Sequence, residues 1–233
     1  MNIYYAPPAQ IHGTAAELLD QEARHASKVM RAREGDQLVI VDGKGGRYEG
    51  PIRRITKQSV QIEIQESQYF DKPQPELLLG MGIIKKRDRL EFAVEKAVEL
   101  GAAHIALFRS RRTIKENVRM DRLESITLSA MKQSLRTWRP EVTLFHSIEE
   151  VIASFPEAQC VLAHEKVSPS KMSFAHLAEG KDQPILLMVG PEGGFADAEV
   201  DKMVDAGAEL ASLGSHRLRA ETAVVALMSQ FLS

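Results

Sequence analysis

Apolar and polar positions follow two regimes along the chain. Through residues 1–70 they change over short runs. Segments 37–41, 47–55 and 59–64 alternate or are rich in β-branched residues, which predicts strands. Between the first two lies Asp42-Gly43-Lys44-Gly45-Gly46, a turn of the hairpin type. A short helix is predicted over 21–31, with Gly35-Asp36 turning the chain into the first of these strands. Several short strands with close turns predict a small barrel. Asp71-Lys72-Pro73-Gln74-Pro75 then reads as a linker, because two prolines interrupt any regular element.

Beyond the linker the pattern becomes strand–helix alternation. An apolar run at 77–84 precedes helical spacing over 87–100, which Gly101 stops. A strand at 104–108, a long helix over 121–137 and strands at 142–145, 160–164 and 185–189 follow, with helical stretches between most of them. Such alternation predicts an α/β domain with a largely parallel sheet covered by helices. The expected division is a β-barrel over 1–70 and an α/β domain over 74–233. The last helix, 220–232, has almost no polar face, since Ala223, Val224, Val225, Ala226, Leu227, Met228, Phe231 and Leu232 fill it. A helix apolar all round needs cover on more than one side, so a homodimer with this helix in or beside the interface is expected.

Composition excludes several classes. No apolar stretch approaches the ~20 residues that span a bilayer, and the amino-terminal residues lack the charged and apolar regions of a signal peptide. Cys160 is the only cysteine, so no intramolecular disulfide can form, and the histidines lack metal-ligand spacing. A cytoplasmic protein without membrane or metal partners is expected. Net charge is only −2, yet it is unevenly distributed. Between Lys85 and Arg139 there are fourteen Lys/Arg against seven Asp/Glu, and from Pro140 onward six against fourteen. That asymmetry predicts a surface facing a polyanion, with solvated helix faces as the plainer account of any single charge.

The chemistry gathers late in the chain. The strand 185–189 breaks into Gly190-Pro191-Glu192-Gly193-Gly194, and Leu213-Gly214-Ser215-His216-Arg217-Leu218-Arg219-Ala220-Glu221-Thr222-Ala223 follows. Apolar strands that end in glycine bring bare backbone to the carboxyl edge of a sheet, where α/β proteins bind ligands. No Lys-Ser/Thr follows the glycines, so this is not a P-loop, and it is not the G-x-G-x-x-G of a dinucleotide site. No nucleophile elbow supports Ser-His-Asp chemistry.

These residues resemble the RsmE-type methyltransferases, SPOUT-class enzymes that use S-adenosylmethionine to methylate N3 of a uridine in 16S ribosomal RNA. The likeness rests on Gly190-Pro191-Glu192-Gly193-Gly194-Phe195, Leu213-Gly214 and Leu218-Arg219-Ala220-Glu221-Thr222-Ala223. It extends to 25–31 with Gly35-Asp36 and Asp42-Gly43, to Glu95-Lys96-Ala97-Val98-Glu99-Leu100-Gly101, to Arg109-Ser110-Arg111-Arg112, and to Gln133-Ser134-Leu135-Arg136 with Pro140. Two positions depart from the family pattern: Lys132 replaces a frequent Glu, and Arg217 a usual aliphatic residue.

The resemblance implies a PUA-like RNA-binding barrel followed by a SPOUT domain whose chain threads a trefoil knot, otherwise nearly absent from proteins. It implies a cofactor pocket formed by Leu162, His164 and Glu165, by Gly190, Pro191, Glu192, Gly193 and Gly194, and by Leu213, Gly214, Leu218, Arg219, Thr222 and Ala223. Arg219 is the candidate for stabilising the uridine anion or binding its phosphate, and Gln133 and Arg136 for orienting base and backbone. Glu192 and Glu221 each have two readings: a general base, or a brace for the glycine loop and the last helix. His25, Arg31, Lys85, Arg87, Arg109, Arg111, Arg112, Arg136 and Arg139 are the candidate contacts to the small-subunit RNA. A SPOUT enzyme of other base or ribose specificity and a non-catalytic ribosome-assembly factor are the alternatives.

Overall fold

Why the chain changes regime at the prolines is plain in the computed structural model, which describes residues 3–111, 118–165, 167 and 183–232. It forms two compact units: Met1–Lys72 with Met131–Arg139, and Pro73–Ala130 with Pro140–Ser233.

The first unit is built on β1 (Ile3–Tyr5), β2 (Ile11–His12), β3 (Ala15–Leu19), β4 (Gln37–Val41), β5 (Gly46–Ile55), β6 (Ser59–Glu63) and β7 (Glu66–Tyr69). They join in the order β1-β4-β5-β6-β3-β2, with β7 on β5, and every pair is antiparallel except β1 with β4. Strand β5 serves three neighbours. Its first half pairs with β4 and its second with β6, across a register shift between Ile52 and Arg54, the kind of irregularity that bends a strand. Alternation then sends Leu18, Ile40, Ile52, Val60 and Ile62 into one core. The helix predicted over 21–31 is a single α-turn, α1 (Asp20–Arg24), continued by a wider π-turn at His25–Val29. The wider turn closes where Met30 N–H donates to the His25 carbonyl at 3.0 Å.

Residues 131–139 join this unit although their chain neighbours lie in the other one. Gly45 N–H donates to the Thr137 carbonyl at 3.2 Å, Arg139 N–H to Gly43 at 3.1 Å and Trp138 Nε1 to Phe70 at 2.9 Å. The Arg139 guanidinium sits over Tyr5, and Lys132 pairs with Glu22.

The second unit contains β8 (Leu77–Gly82), α2 (Arg87–Glu99), β9 (Ala102–Phe108), α3 (Met120–Gln133), β10 (Glu141–Phe145), α4 (Ile148–Ser154) and β11 (Gln159–Ala163). Then come β12 (Ile185–Val189), α5 (Asp197–Asp205), β13 (Glu209–Ala211) and α6 (Ala220–Met228). The long helix stops at Gln133, short of the expected 137, because Leu135 turns left-handed with φ +59°. Leu135 N–H donates to Lys132 and Arg136 N–H to Met131, a Schellman closure that usually takes glycine.

All six strands of the second unit run parallel, in the order β10-β9-β8-β12-β11-β13. β8 and β12 lie centrally and are buried throughout, which explains their unbroken apolar runs. Helix α6 packs on α2 and β12, so the chain itself buries Ala223, Val224, Leu227 and Met228. Much of the cover expected from a partner therefore comes from within.

Candidate active site

Parallel strands put all their carboxyl ends on one edge, and three of those ends frame a cavity of about 530 Å³. Ala163, His164 and Glu165 leave β11, Val189 to Phe195 leave β12, and Leu213 to Leu218 follow β13. Asp197, Ala220 and Ala223 complete the wall.

The glycine loop is anchored at both ends and open in the middle. At its start Pro191 lies against Gly82, where a Cβ would stand 2.5 Å from Pro191 Cδ and 2.7 Å from its nitrogen. Gly194 N–H donates to the Pro191 carbonyl at 2.8 Å, and Gly194 takes φ +68°. Phe195 is then buried and stacks on Phe108 with ring centroids 6.2 Å apart. Nothing lies within 4 Å of a Cβ built on Gly194 or on Gly214, whose φ is +117°. These two glycines therefore face open space with backbone angles that side-chain-bearing residues rarely adopt. His164 N–H donates to Ala211 at 2.8 Å, which fastens the third loop to the first. Arg217, one of the two departures from the family pattern, stands 3.8 Å from Glu165, both exposed on the cavity wall. An exposed pair at that distance contributes little stability.

Of the residues expected in the pocket, His164, Glu165, Gly190, Pro191, Glu192, Gly193, Gly194, Leu213, Gly214, Leu218 and Ala223 line the cavity. Leu162 is fully buried in the sheet, one residue before the wall begins. Arg219, the N-cap of α6, and Thr222 in its first turn are exposed and stand off the wall, next to the lining residues Leu218, Ala220 and Ala223. Phe195, Asp197, Ser215, His216, Arg217 and Ala220 line it as well. All but Asp197 fall inside the two motif segments of the sequence, and Asp197 lies two residues beyond the first.

The glutamates divide. Glu192 lines the cavity, and its Oε1 accepts the Lys85 backbone N–H at 2.9 Å. Glu221 is buried off the wall, with Oε1 3.3 Å from Arg89 Nε and Oε2 lacking a hydrogen-bond partner among the described residues. A third carboxylate carried no signal in the sequence. Glu199 is only 4% exposed; its Oε2 accepts Ala196 N–H at 2.7 Å and its Oε1 accepts Arg111 N–H at 3.0 Å.

Lys85 and Arg87 follow β8 and Arg109 and Arg111 follow β9, on the same sheet edge as the cavity. Arg87 pairs with Glu91, and Arg109 Nη1 lies 2.8 Å from His146 Nδ1. Gln133, Arg136 and Arg139 belong to the first unit with His25 and Arg31. Burial pushes the Arg136 pKa below its ordinary value, which leaves an arginine charged at neutral pH. His25 packs its ring 5.8 Å from Tyr4, and Arg31 is exposed with φ +55°. Arg112 lies outside the described residues. Among the described residues no three His, Cys, Asp or Glu side chains gather as metal ligands, and no helix is long and apolar enough to cross a membrane. Burial pushes the Cys160 thiol up to about 12, which makes it unreactive near neutrality.

Comparison with known proteins agrees with this geometry. The small-subunit ribosomal RNA methyltransferase E of Bacillus subtilis is 28% identical over 220 residues, covering 90% of this chain and 86% of that protein. The crystal structure of the enzyme of that name from Neisseria gonorrhoeae, bound to S-adenosyl methionine, superposes with a TM-score of 0.84 at 28% identity, covering 98% and 95% of the two chains. A protein from Legionella pneumophila solved with bound cofactor SAM gives 0.81 at 25% identity, covering 97% and 95%. Residues 18–65 match the model of the RNA methyltransferase PUA domain, and residues 71–232 match that of the RNA methyltransferase domain. The chain belongs to the RNA methyltransferase family.

Proposed function

We propose that this protein uses S-adenosylmethionine to methylate N3 of a uridine in 16S RNA of the small ribosomal subunit. The observation that carries the reading is the open glycine floor at Gly194 and Gly214 in a cavity at the carboxyl edge of the sheet. The cavity fits the group. Its volume suits a nucleoside-sized ligand, its glycines expose main-chain donors and acceptors to an adenine edge, and Leu213 and Leu218 supply apolar walls. Bound there, the cofactor supplies a methyl carbon on a sulfonium centre.

The chain must then align N3 with that carbon and stabilise the negative charge that builds as the weakly acidic N3–H is lost. Alignment is worth much of such a barrier. Arg219 is assigned to the charge. It is exposed beside the wall, and its guanidinium makes no ion pair or hydrogen bond among the described residues, so it is free to meet an oxyanion. Gln133 and Arg136 are assigned to base and backbone. Glu192 and Glu221 are assigned to bracing, since each already holds a donor of the 85–89 segment. Lys85, Arg87, Arg109 and Arg111, with His25, Arg31 and Arg139 on the PUA-like unit, are assigned to RNA phosphates.

The same reading carries a cytoplasmic homodimer and a knotted chain. Supporting the dimer are Leu232 and Phe92, 59% and 45% exposed. Supporting the knot is the strand order, in which β11 lies between β12 and the later β13.

The test is methyl transfer from labelled S-adenosylmethionine to small subunits from cells lacking the gene, with the product read by digestion and mass spectrometry. The expected product is 3-methyluridine at one site. A methyl group on another atom would move the protein to a different specificity. Cofactor binding without any transfer would favour an assembly factor. In the same assay Arg219→Ala should lower turnover by about 10²–10³, with cofactor affinity changed less than about threefold. Equal losses in both would reduce Arg219 to a wall residue.

A further inference from the structure

Glu199 is an unusual way to begin a helix. It sits in the first turn of α5, where a glutamate that reaches back to the N-cap N–H is ordinarily a surface residue using one oxygen. Here the side chain is almost fully buried and both oxygens are engaged, one by Ala196 at the end of the glycine loop and one by Arg111 beyond β9. Burying a carboxylate is costly unless donors compensate it, and the burial of Glu199 depends on these two N–H groups. Ala196 directly follows the wall residue Phe195, and Arg111 is a cation on the basic side of the same sheet edge. A hydrophobic side chain would fill the space equally well but could not tie these two backbones together.

The link is repeated. Glu192, on the cavity wall, accepts the Lys85 backbone N–H, and Glu221 pairs with Arg89. Carboxylates from the cofactor side thus hold both cationic segments, 85–89 after β8 and 109–111 after β9. Two of the three bonds go to main-chain N–H groups, which fixes the course of the segment and leaves the Lys85 and Arg111 side chains available to a ligand.

We infer that Glu199 is a positioning residue which, together with Glu192, makes the glycine loop and the basic segments one mechanical unit, so that cofactor and RNA bind cooperatively. The inference rests on the assignment of the cavity to S-adenosylmethionine and of the cations to RNA. A ligand seated against Gly194 and Phe195 restricts the 190–196 loop. Through the shared carboxylates it also restricts 85–89 and 109–111, and the second ligand then binds segments already ordered. Such coupling is reciprocal: RNA must tighten the cofactor by the factor with which the cofactor tightens RNA.

The experiment measures affinity of the full-length protein for small-subunit rRNA transcript, with and without saturating S-adenosylhomocysteine. In the wild type this demethylated cofactor product should tighten RNA by about fivefold or more. Glu199→Gln keeps the shape but turns an amide NH2 toward one of the two N–H groups; the ratio should fall toward one. Glu192→Ala, a surface change safe for folding, should lower it in part. Arg111→Ala keeps the backbone N–H that Glu199 holds, so it should weaken RNA equally in both states and preserve the ratio. A role confined to stability would lower the melting temperature of Glu199→Gln and leave its ratio at the wild-type value, which would overturn the inference. So would a wild-type ratio of one. Methyl transfer with a ratio of one would sink the coupling alone, whereas a protein that binds neither ligand would sink the functional reading and this one with it.

Discussion

Two glycine-rich turns look alike in the sequence and do opposite things. The turn at 42–46 is filled. A Cβ on Gly45 would stand 2.6 Å from the Phe70 carbonyl oxygen and 2.9 Å from the Trp138 ring, and one on Gly46 would stand 2.3 Å from Asp42 Oδ2. Asp42 itself is buried and accepts N–H bonds from Lys44 and Gly46 and the hydroxyl of Tyr48. Burial of Tyr48, its hydrogen bond with Tyr69 and the Asp42 carboxylate beside it raise the Tyr48 pKa above the tyrosine range. The turn at 190–194 instead closes on itself at its ends and leaves Gly194 facing empty space. Glycine in the first is there so that other parts of the protein can approach. In the second it is there so that something outside the protein can. The distinguishing observation is what a side chain would meet, which neither composition nor spacing reveals.

Substitutions sharpen the contrast. The largest effect is expected from Gly194→Val, which forces a β-branched residue into φ +68° and places its side chain in the cavity. Cofactor affinity by calorimetry should fall by about 100-fold, or about 2.7 kcal/mol, while urea unfolding of the first unit stays where it was. Retained affinity would show that the loop does not hold the cofactor. Gly45→Ala should do the reverse, destabilising the first unit by about 2 kcal/mol through overpacking and an unfavourable φ of +96°. Cofactor affinity should be unchanged, and a loss there would mean the two turns are not separable. Gly82→Ala pushes on Pro191 from below; a shift of the loop entrance should cost about tenfold in cofactor affinity. The smallest effect is expected from Glu192→Gln, because an amide oxygen can still accept the Lys85 N–H. Turnover within about twofold of wild type would support bracing, since a general base contributes about 10²–10⁴. A collapse of turnover with the fold intact would make Glu192 the base after all.

Much of this architecture was legible because its signals are local. The strands at 185–189 and 37–41 stand where the apolar runs predict them, and α2 ends at Glu99, just before Gly101, whose φ of +100° no other residue takes as easily. Elements without a periodic face were not anticipated. β7 (Glu66–Tyr69) is exposed at every position, and β13 (Glu209–Ala211) is three residues long. The helix predicted to 137 was a failure of another kind. Gln133-Ser134-Leu135-Arg136 has ordinary helical composition, and the left-handed Leu135 goes with docking of Thr137, Trp138 and Arg139 on the 42–46 turn. Propensity is a weak prior, and tertiary contacts override it.

The candidate site divides along the same line. Gly190, Gly193, Gly194 and Gly214 stand out in the sequence because glycine after an apolar strand has few other uses. Glu199 does not, since its partner Arg111 is 88 residues away and both bonds use main-chain groups. By itself the sequence determined the strands with clear apolar or alternating runs, the parallel sheet and the glycines that open its carboxyl edge, because periodicity and backbone freedom belong to individual residues. Only the tertiary structure decided which glycine turn is open, which carboxylates brace and where 131–139 belongs. Those outcomes depend on what stands within a few ångströms, and residues far apart in the chain supply it.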